Sequence, residues 1–319
     1  MTARGAIRLV VPSGAGDCIL HYTPPLDAAL VLRNAPAHHA PAMVRRLYAI
    51  CADAQEHAAL LAVEAALGIE AAPEELARRE IATAREAVRE HGLRISLDWA
   101  RMLGEPADHA AARDVLRVSQ DGSPEQIDAA IERHVTGLAP RDWLGLATGL
   151  ELRDWAAAGA SVAARFIARV GSSPDMGAGI GALPERNGDH PLLATGLPGG
   201  SLLSRHAARL VGLCRLPARM AALAAGQAEP ARGTSPAPGT GQAMVDCARG
   251  SLKHHLRVVD SRIAAYRIVS PTDRAFSAGG EAERQFRRVA NVPATMRPQV
   301  AEWTMQALDP CVDYAIEVA

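Results

Sequence analysis

Two short runs near the start of the chain alternate apolar and polar residues with a period of two. Residues 5–12 and 17–22 flank Ser13-Gly14-Ala15-Gly16, which predicts a hairpin. The period then lengthens. Val44, Leu47, Cys51, Ala54, Ala58 and Leu61 recur at helical spacing, predicting one long helix over residues 41–67, opened by Pro41 and closed by Gly68. Cys51 falls on its inward stripe. The small residues Ala52, Ala54, Ala58, Ala59 and Ala62 on that helix predict that another segment comes close to its backbone.

Pro73 opens a second helical region, 73–103, with an expected interruption near Gly92. Ser123-Pro124-Glu125-Gln126 is an N-cap followed by proline, leading a helix to about His134. Residues 140–158 and 161–170 predict two more helices, and 201–225 another. Residues 171–200 predict a long loop and 226–243 a flexible segment rich in Pro, Gly, Ala and Thr. Gly177-Ala178-Gly179-Ile180-Gly181 tempts a phosphate-loop reading, but no Lys-Ser/Thr follows and no strand leads in. Alternation returns after 243. Two runs, ending at Val259 and starting at Arg262, turn on Asp260-Ser261 and predict a hairpin. Helices over about 281–290 and 298–308 deliver the chain to Asp309-Pro310-Cys311. The expected fold class is mainly α with a small antiparallel β element, as one domain over 1–319.

Composition narrows the function. Of 319 residues, 49% are hydrophobic but only 3% aromatic, so the core is aliphatic. A net charge of −1 gives no electrostatic reason to bind nucleic acid or an anionic membrane. No apolar run is long enough to span a bilayer, and Met1-Thr2-Ala3-Arg4-Gly5 has no signal-peptide core, so a cytoplasmic location is expected. Five scattered cysteines read as thiols in a reducing compartment. Cys18 and Cys214 read as core.

Four separated segments share one resemblance. They are Tyr48-Ala49-Ile50-Cys51 through Gln55 to Ala58; Cys247-Ala248-Arg249-Gly250 with His254; Pro271-Thr272-Asp273-Arg274-Ala275; and Asp309-Pro310-Cys311 through Glu317. In this order they resemble the large subunit of nickel–iron hydrogenases. That family holds its nickel–iron centre with an N-terminal Cys-x-x-Cys and a C-terminal Asp-Pro-Cys-x-x-Cys-x-x-His. Here Tyr48 and Tyr314 stand at two of the four cysteine positions, and Gln55 and Glu317 at the two histidine positions. By register Cys51 matches a bridging position and Cys311 a nickel-only one. The resemblance also implies that no C-terminal tail is left to be cut off.

A retained frame with half its thiolates resembles the accessory branch of the family, the hydrogenase expression/formation proteins of the HupK and HoxV type. The resemblance implies a non-catalytic scaffold in hydrogenase maturation. Cys51 and Cys311 would be metal ligands for a transient iron–dicyanide–carbonyl fragment, with nickel not expected. Arg249 and Thr272 would donate hydrogen bonds to the diatomic ligands, and Asp309 would lie beside the metal. Cys247 is either a third thiol or a packing residue, and Glu317 a weak ligand or a surface acid. The implied partners are maturation chaperones and the hydrogenase large subunit. Two alternatives stay open: a metal-free adaptor that docks such partners, and a degenerate hydrogenase-like redox enzyme.

Overall fold

The computed structural model describes residues 5–172, 190–197 and 201–319. The expected loop at 171–200, with its Gly177–Gly181 stretch, falls largely outside them. The chain gathers into two compact units, Met1–Thr83 with Pro230–Ala319, and Ala84–Glu229.

The first unit carries two three-stranded sheets. Strands β1 (Ala6–Val11) and β2 (Ile19–Thr23) form the expected antiparallel hairpin. Strands β3 (Thr240–Cys247), β4 (Gly250–Val259) and β5 (Arg262–Val269) form an antiparallel meander in the order β3-β4-β5. The turn after β4 has Asp260 and Ser261 both at positive φ, 49° and 59°, the geometry that suits the twist of a two-residue hairpin. Strand β6 (Asp313–Val318) is the chain's C-terminal run. It pairs in parallel with β1, completing the order β2-β1-β6. The sequence pattern did not announce β6 or β3.

The long helix expected over 41–67 is broken. Helix Ala40–Leu47 stops at Tyr48, Ala49–Cys51 makes a single tight turn, and helix Ala52–Leu67 follows. No Gly or Pro marks the break. The Tyr48 hydroxyl instead donates to the Leu26 carbonyl at 3.0 Å, a long-range tether that the local pattern does not contain. The break puts Cys51 at the cap of helix Ala52–Leu67 rather than in a helix middle. Gly68 ends that helix in the left-handed region, φ 67°, as expected of a C-terminal glycine.

The close approach foreseen along the alanines is real. Ala54, Ala58, Ala59 and Ala62 are fully buried, and β3 lies against them. A Cβ at Gly241 would sit 1.8 Å from the Ala62 carbonyl oxygen, so only glycine fits there. The expected flexible segment 226–243 ends early, because β3 begins at Thr240. Thr234 and Gln242 exchange two backbone hydrogen bonds of 2.8 Å, and the Ala231 N–H donates to Glu80 at 2.9 Å. Helices Pro271–Phe276, Glu281–Val289 and Arg297–Leu308 complete the unit.

The second unit is helical. Helix Pro73–Leu93 runs into it and widens at Arg94–Trp99 into a π-type turn, so the irregularity lies just after Gly92. Ser123 and Gln126 form a capping box on helix Pro124–Ile131. The expected 140–158 helix is two, Pro140–Trp143 and Gly149–Ala158. Trp99 stacks on Phe166 with centroids 4.4 Å apart, and helix Leu202–Ala224 closes this core. Cys214 is buried there; burial pushes its thiol far up, out of the reactive range.

Candidate functional site

The first unit brings the two ends of the chain together. Cys51 arrives on the cap of helix Ala52–Leu67. Cys311 arrives just after helix Arg297–Leu308, which terminates on Asp309 in the left-handed region, φ 48°. The next residue is Pro310, so the helix cannot continue. The Cys51 thiol hydrogen-bonds the Cys311 sulfur.

Thr272 secures the same sulfur from the other side. Its hydroxyl donates to Cys311 Sγ at 3.0 Å and accepts the Cys311 backbone N–H at 3.0 Å. Thr272 sits in the first turn of helix Pro271–Phe276, capped by Ser270, and is buried. The Cys51 hydrogen bond is the largest influence on Cys311, and it brings the thiol down to about 6. Burial opposes this, while the Thr272 hydroxyl and the Arg249 charge assist. The downward shift favours the thiolate, the form that binds metals and electrophiles.

Arg249 occupies the tight turn between β3 and β4 and lies 3.6 Å from Asp309, with side chains only 4% and 6% exposed. This is a buried ion pair beside the sulfurs, and its positive member favours the thiolate. Cys247 is used differently. Its thiol donates to the Gly250 carbonyl at 3.0 Å and closes that same turn.

Tyr314 and Glu317, at positions the resemblance marked as lost ligands, face elsewhere. The Tyr314 hydroxyl donates to Glu302 and accepts from Gln306, both at 2.7 Å. Glu317 makes a two-pronged, solvent-exposed pair with Arg8. Tyr48, by contrast, stays near Cys51, its phenol pushed up to about 12 mainly by burial, with Asp27, Asp273 and then Cys51 adding to the effect.

Several neighbours carried no sequence signal of their own. Tyr22 on β2 donates to Asp273 at 2.5 Å, and Asp273 also accepts the Ser270 hydroxyl at 2.6 Å. Behind Cys51 lie Gln55, His254 and Tyr266. The first two were visible only as positions in the resemblance, and alternation along β5 does not single out Tyr266. Among the described residues no three His, Cys, Asp or Glu side chains converge as a closed metal-ligand set. The protein thus offers a two-sulfur edge flanked by a hydroxyl and a guanidinium.

No protein-family model matches the chain. Among curated proteins it is similar to the hydrogenase expression/formation protein HoxV of Cupriavidus necator, at 29% identity across 92% of this chain and 91% of the relative. It is also similar to the protein HupK of Rhodobacter capsulatus, at 28% identity across 92% and 90%. Among solved structures it resembles an NAD+-reducing NiFe-hydrogenase in the H2-reduced state, with TM-score 0.56, 18% identity, and 93% and 92% coverage. A Ni-Fe-Se hydrogenase from D. vulgaris Hildenborough matches with TM-score 0.54, 15% identity, and 93% and 94% coverage. The chain is thus a homologue of the hydrogenase expression/formation proteins HoxV and HupK, carried on the fold of the nickel–iron hydrogenase large subunit.

Proposed function

We propose that this protein is a non-catalytic scaffold in nickel–iron hydrogenase maturation, and that it holds an iron–dicyanide–carbonyl fragment in transit to the hydrogenase large subunit. The observation that carries this reading is the Cys51–Cys311 pair, with the Cys311 sulfur clasped by the Thr272 hydroxyl. Soft sulfur donors suit low-spin iron. A fragment that brings its own diatomic ligands needs few donors from the protein, and two sulfurs hold it without sealing it in. The Arg249 guanidinium, always charged and rich in donors, is the natural partner for an anionic cyanide, and the Thr272 hydroxyl adds a neutral one. Asp309 balances the Arg249 charge from 3.6 Å away. The relatives named as expression/formation proteins support a maturation role. The partners on this reading are the chaperones that deliver the fragment and the large subunit that receives it.

The test is co-expression with the maturation machinery, anaerobic purification and infrared spectroscopy. The protein should carry cyanide and carbonyl stretches, and Cys311→Ser should lose them. A spectrum without those bands overturns cargo holding. If a Cys51→Ser/Cys311→Ser variant still supports hydrogenase maturation in cells, the metal-free adaptor replaces the scaffold.

A further inference from the structure

Behind Cys51 runs an unbroken line of buried polar groups. The Tyr266 hydroxyl lies 2.7 Å from His254 Nδ1. His254 Nε2 lies 2.9 Å from Gln55 Oε1. Gln55 Nε2 donates to Cys51 Sγ at 3.7 Å, within the longer reach of sulfur. His254 is fully buried, Gln55 2% exposed and Tyr266 6% exposed. The three come from different elements: helix Ala52–Leu67, β4 and β5.

The directions are mutually determined. Gln55 Oε1 can only accept, so His254 Nε2 must carry the ring proton. A neutral imidazole then has a bare Nδ1, which accepts from the Tyr266 hydroxyl. Burial holds His254 neutral, far below the ordinary histidine range at about 3. Every donor therefore points toward Cys51, and the line ends on its sulfur. Cys51 is in turn a side-chain hydrogen-bond partner of Cys311. A sulfur that accepts a hydrogen bond becomes a better S–H donor, because bonds in series polarise one another.

We infer that Gln55, His254 and Tyr266 form a one-way hydrogen-bond line whose task is to orient and polarise the Cys51 thiol toward Cys311. They are positioning residues. Their use in cargo handling rests on the scaffold reading, but the line itself does not require cargo, so it is tested on the metal-free, full-length chain.

The tautomer comes first and needs no variant. Long-range nitrogen–proton correlation spectra of histidine-labelled protein should show His254 as the Nε2–H form. An Nδ1–H form means the line runs the other way, with the Gln55 amide reversed, and overturns the proposal. The second reading is the infrared S–H stretch of Cys51, assigned by its disappearance in Cys51→Ser. Gln55→Met keeps the bulk but loses the donor, and the band should move to higher frequency. Tyr266→Phe should move it the same way by less. The double variant should match Gln55→Met alone, because Tyr266 acts only through Gln55. Additive shifts, or an unmoved band in Gln55→Met, overturn the proposal even if the scaffold reading stands. Loss of cargo bands with the S–H shifts intact overturns the scaffold reading alone.

Discussion

The Cys51 and Cys311 side chains are hydrogen-bonded to each other, joining a residue near the start of the chain to one near its end. Neither cysteine's own segment makes a site by itself. What brings them together is the first unit's closure: β6 lies beside β1, and helix Pro271–Phe276 presents Thr272 to Cys311. The two-sulfur pair is thus a product of tertiary structure, and its properties should respond to side chains remote in sequence.

Thr272 gives the most direct case. Thr272→Val keeps the shape but removes a donor to the sulfur and an acceptor for the Cys311 N–H. The titration of Cys311 should rise from about 6 toward the ordinary thiol range. The orphaned N–H should cost about 1–3 kcal/mol of stability. Thr272→Ser should leave both nearly unchanged. The pH dependence of iodoacetamide labelling, resolved by mass spectrometry, checks the first point, and urea unfolding the second. An unmoved midpoint in Thr272→Val counts against the clasp.

Arg249 and Asp309 form a buried charge pair, so removing one partner strands the other. Arg249→Met should destabilise the protein by about 3–5 kcal/mol. Adding Asp309→Asn should recover much of that loss, since it removes the stranded charge. Asn also tolerates the left-handed backbone at this position. Chemical denaturation of the two singles and the double decides it. If the double loses the sum of the singles, the two charges do not depend on each other.

Much of this centre could be read from the chain, and the reason is specific. Asp309-Pro310-Cys311 and the segments around Cys51, Arg249 and Thr272 are short motifs whose meaning survives without their surroundings. The features that escaped are those set by distant partners. The break at Tyr48 depends on the Leu26 carbonyl. Strand β6 depends on a parallel neighbour from the other end of the chain, which no local alternation encodes. Cys247 is a candidate thiol by its nearness to Arg249 in sequence, and its sulfur donates to the Gly250 carbonyl in the turn that carries Arg249. Helix periodicity alone placed Cys51 correctly on a buried face and wrongly inside a continuous helix.

Two buried histidines should make the protein acid-sensitive. Burial lowers His254 to about 3 and His57 to about 4. His254 faces Gln55 and Tyr266; His57 faces Thr83, with Glu80 and Arg79 nearby. Unfolded histidine takes its proton near 6.5, so below that pH the unfolded chain binds protons the folded chain refuses. Stability is full above about 6.5 and falls as pH drops from there toward the folded values, by about 1.4 kcal/mol per pH unit for each histidine. Urea midpoints between pH 6.5 and 5 should slope accordingly, and His57→Gln should flatten the slope. An unchanged slope means His57 charges freely in the folded state.

Tyr48 and Tyr314 stand where the resemblance has cysteines, and restoring each should have unequal effects. The Tyr48 phenol lies close enough to Cys51 for the two groups to interact electrostatically. A cysteine at 48 should therefore add a third sulfur to the edge, on the backbone turn that already positions Cys51. The Tyr314 side chain is drawn to Glu302 and Gln306, and its backbone register is fixed by pairing with Ile7. A cysteine at 314 is held by that pairing, and turning it toward Cys311 requires β6 to shift against β1, which would move every β6 side chain to the other face. Mild oxidation of the metal-free variants, followed by disulfide mapping, separates the two. Tyr48→Cys should give a mixture in which the introduced thiol competes for Cys51 or Cys311, while Tyr314→Cys should give no bond to Cys311. An efficient disulfide between Cys311 and the thiol introduced by Tyr314→Cys would show that β6 slips easily, and the two-sulfur edge would then owe its form to the tyrosine side chain rather than to the strand that carries it.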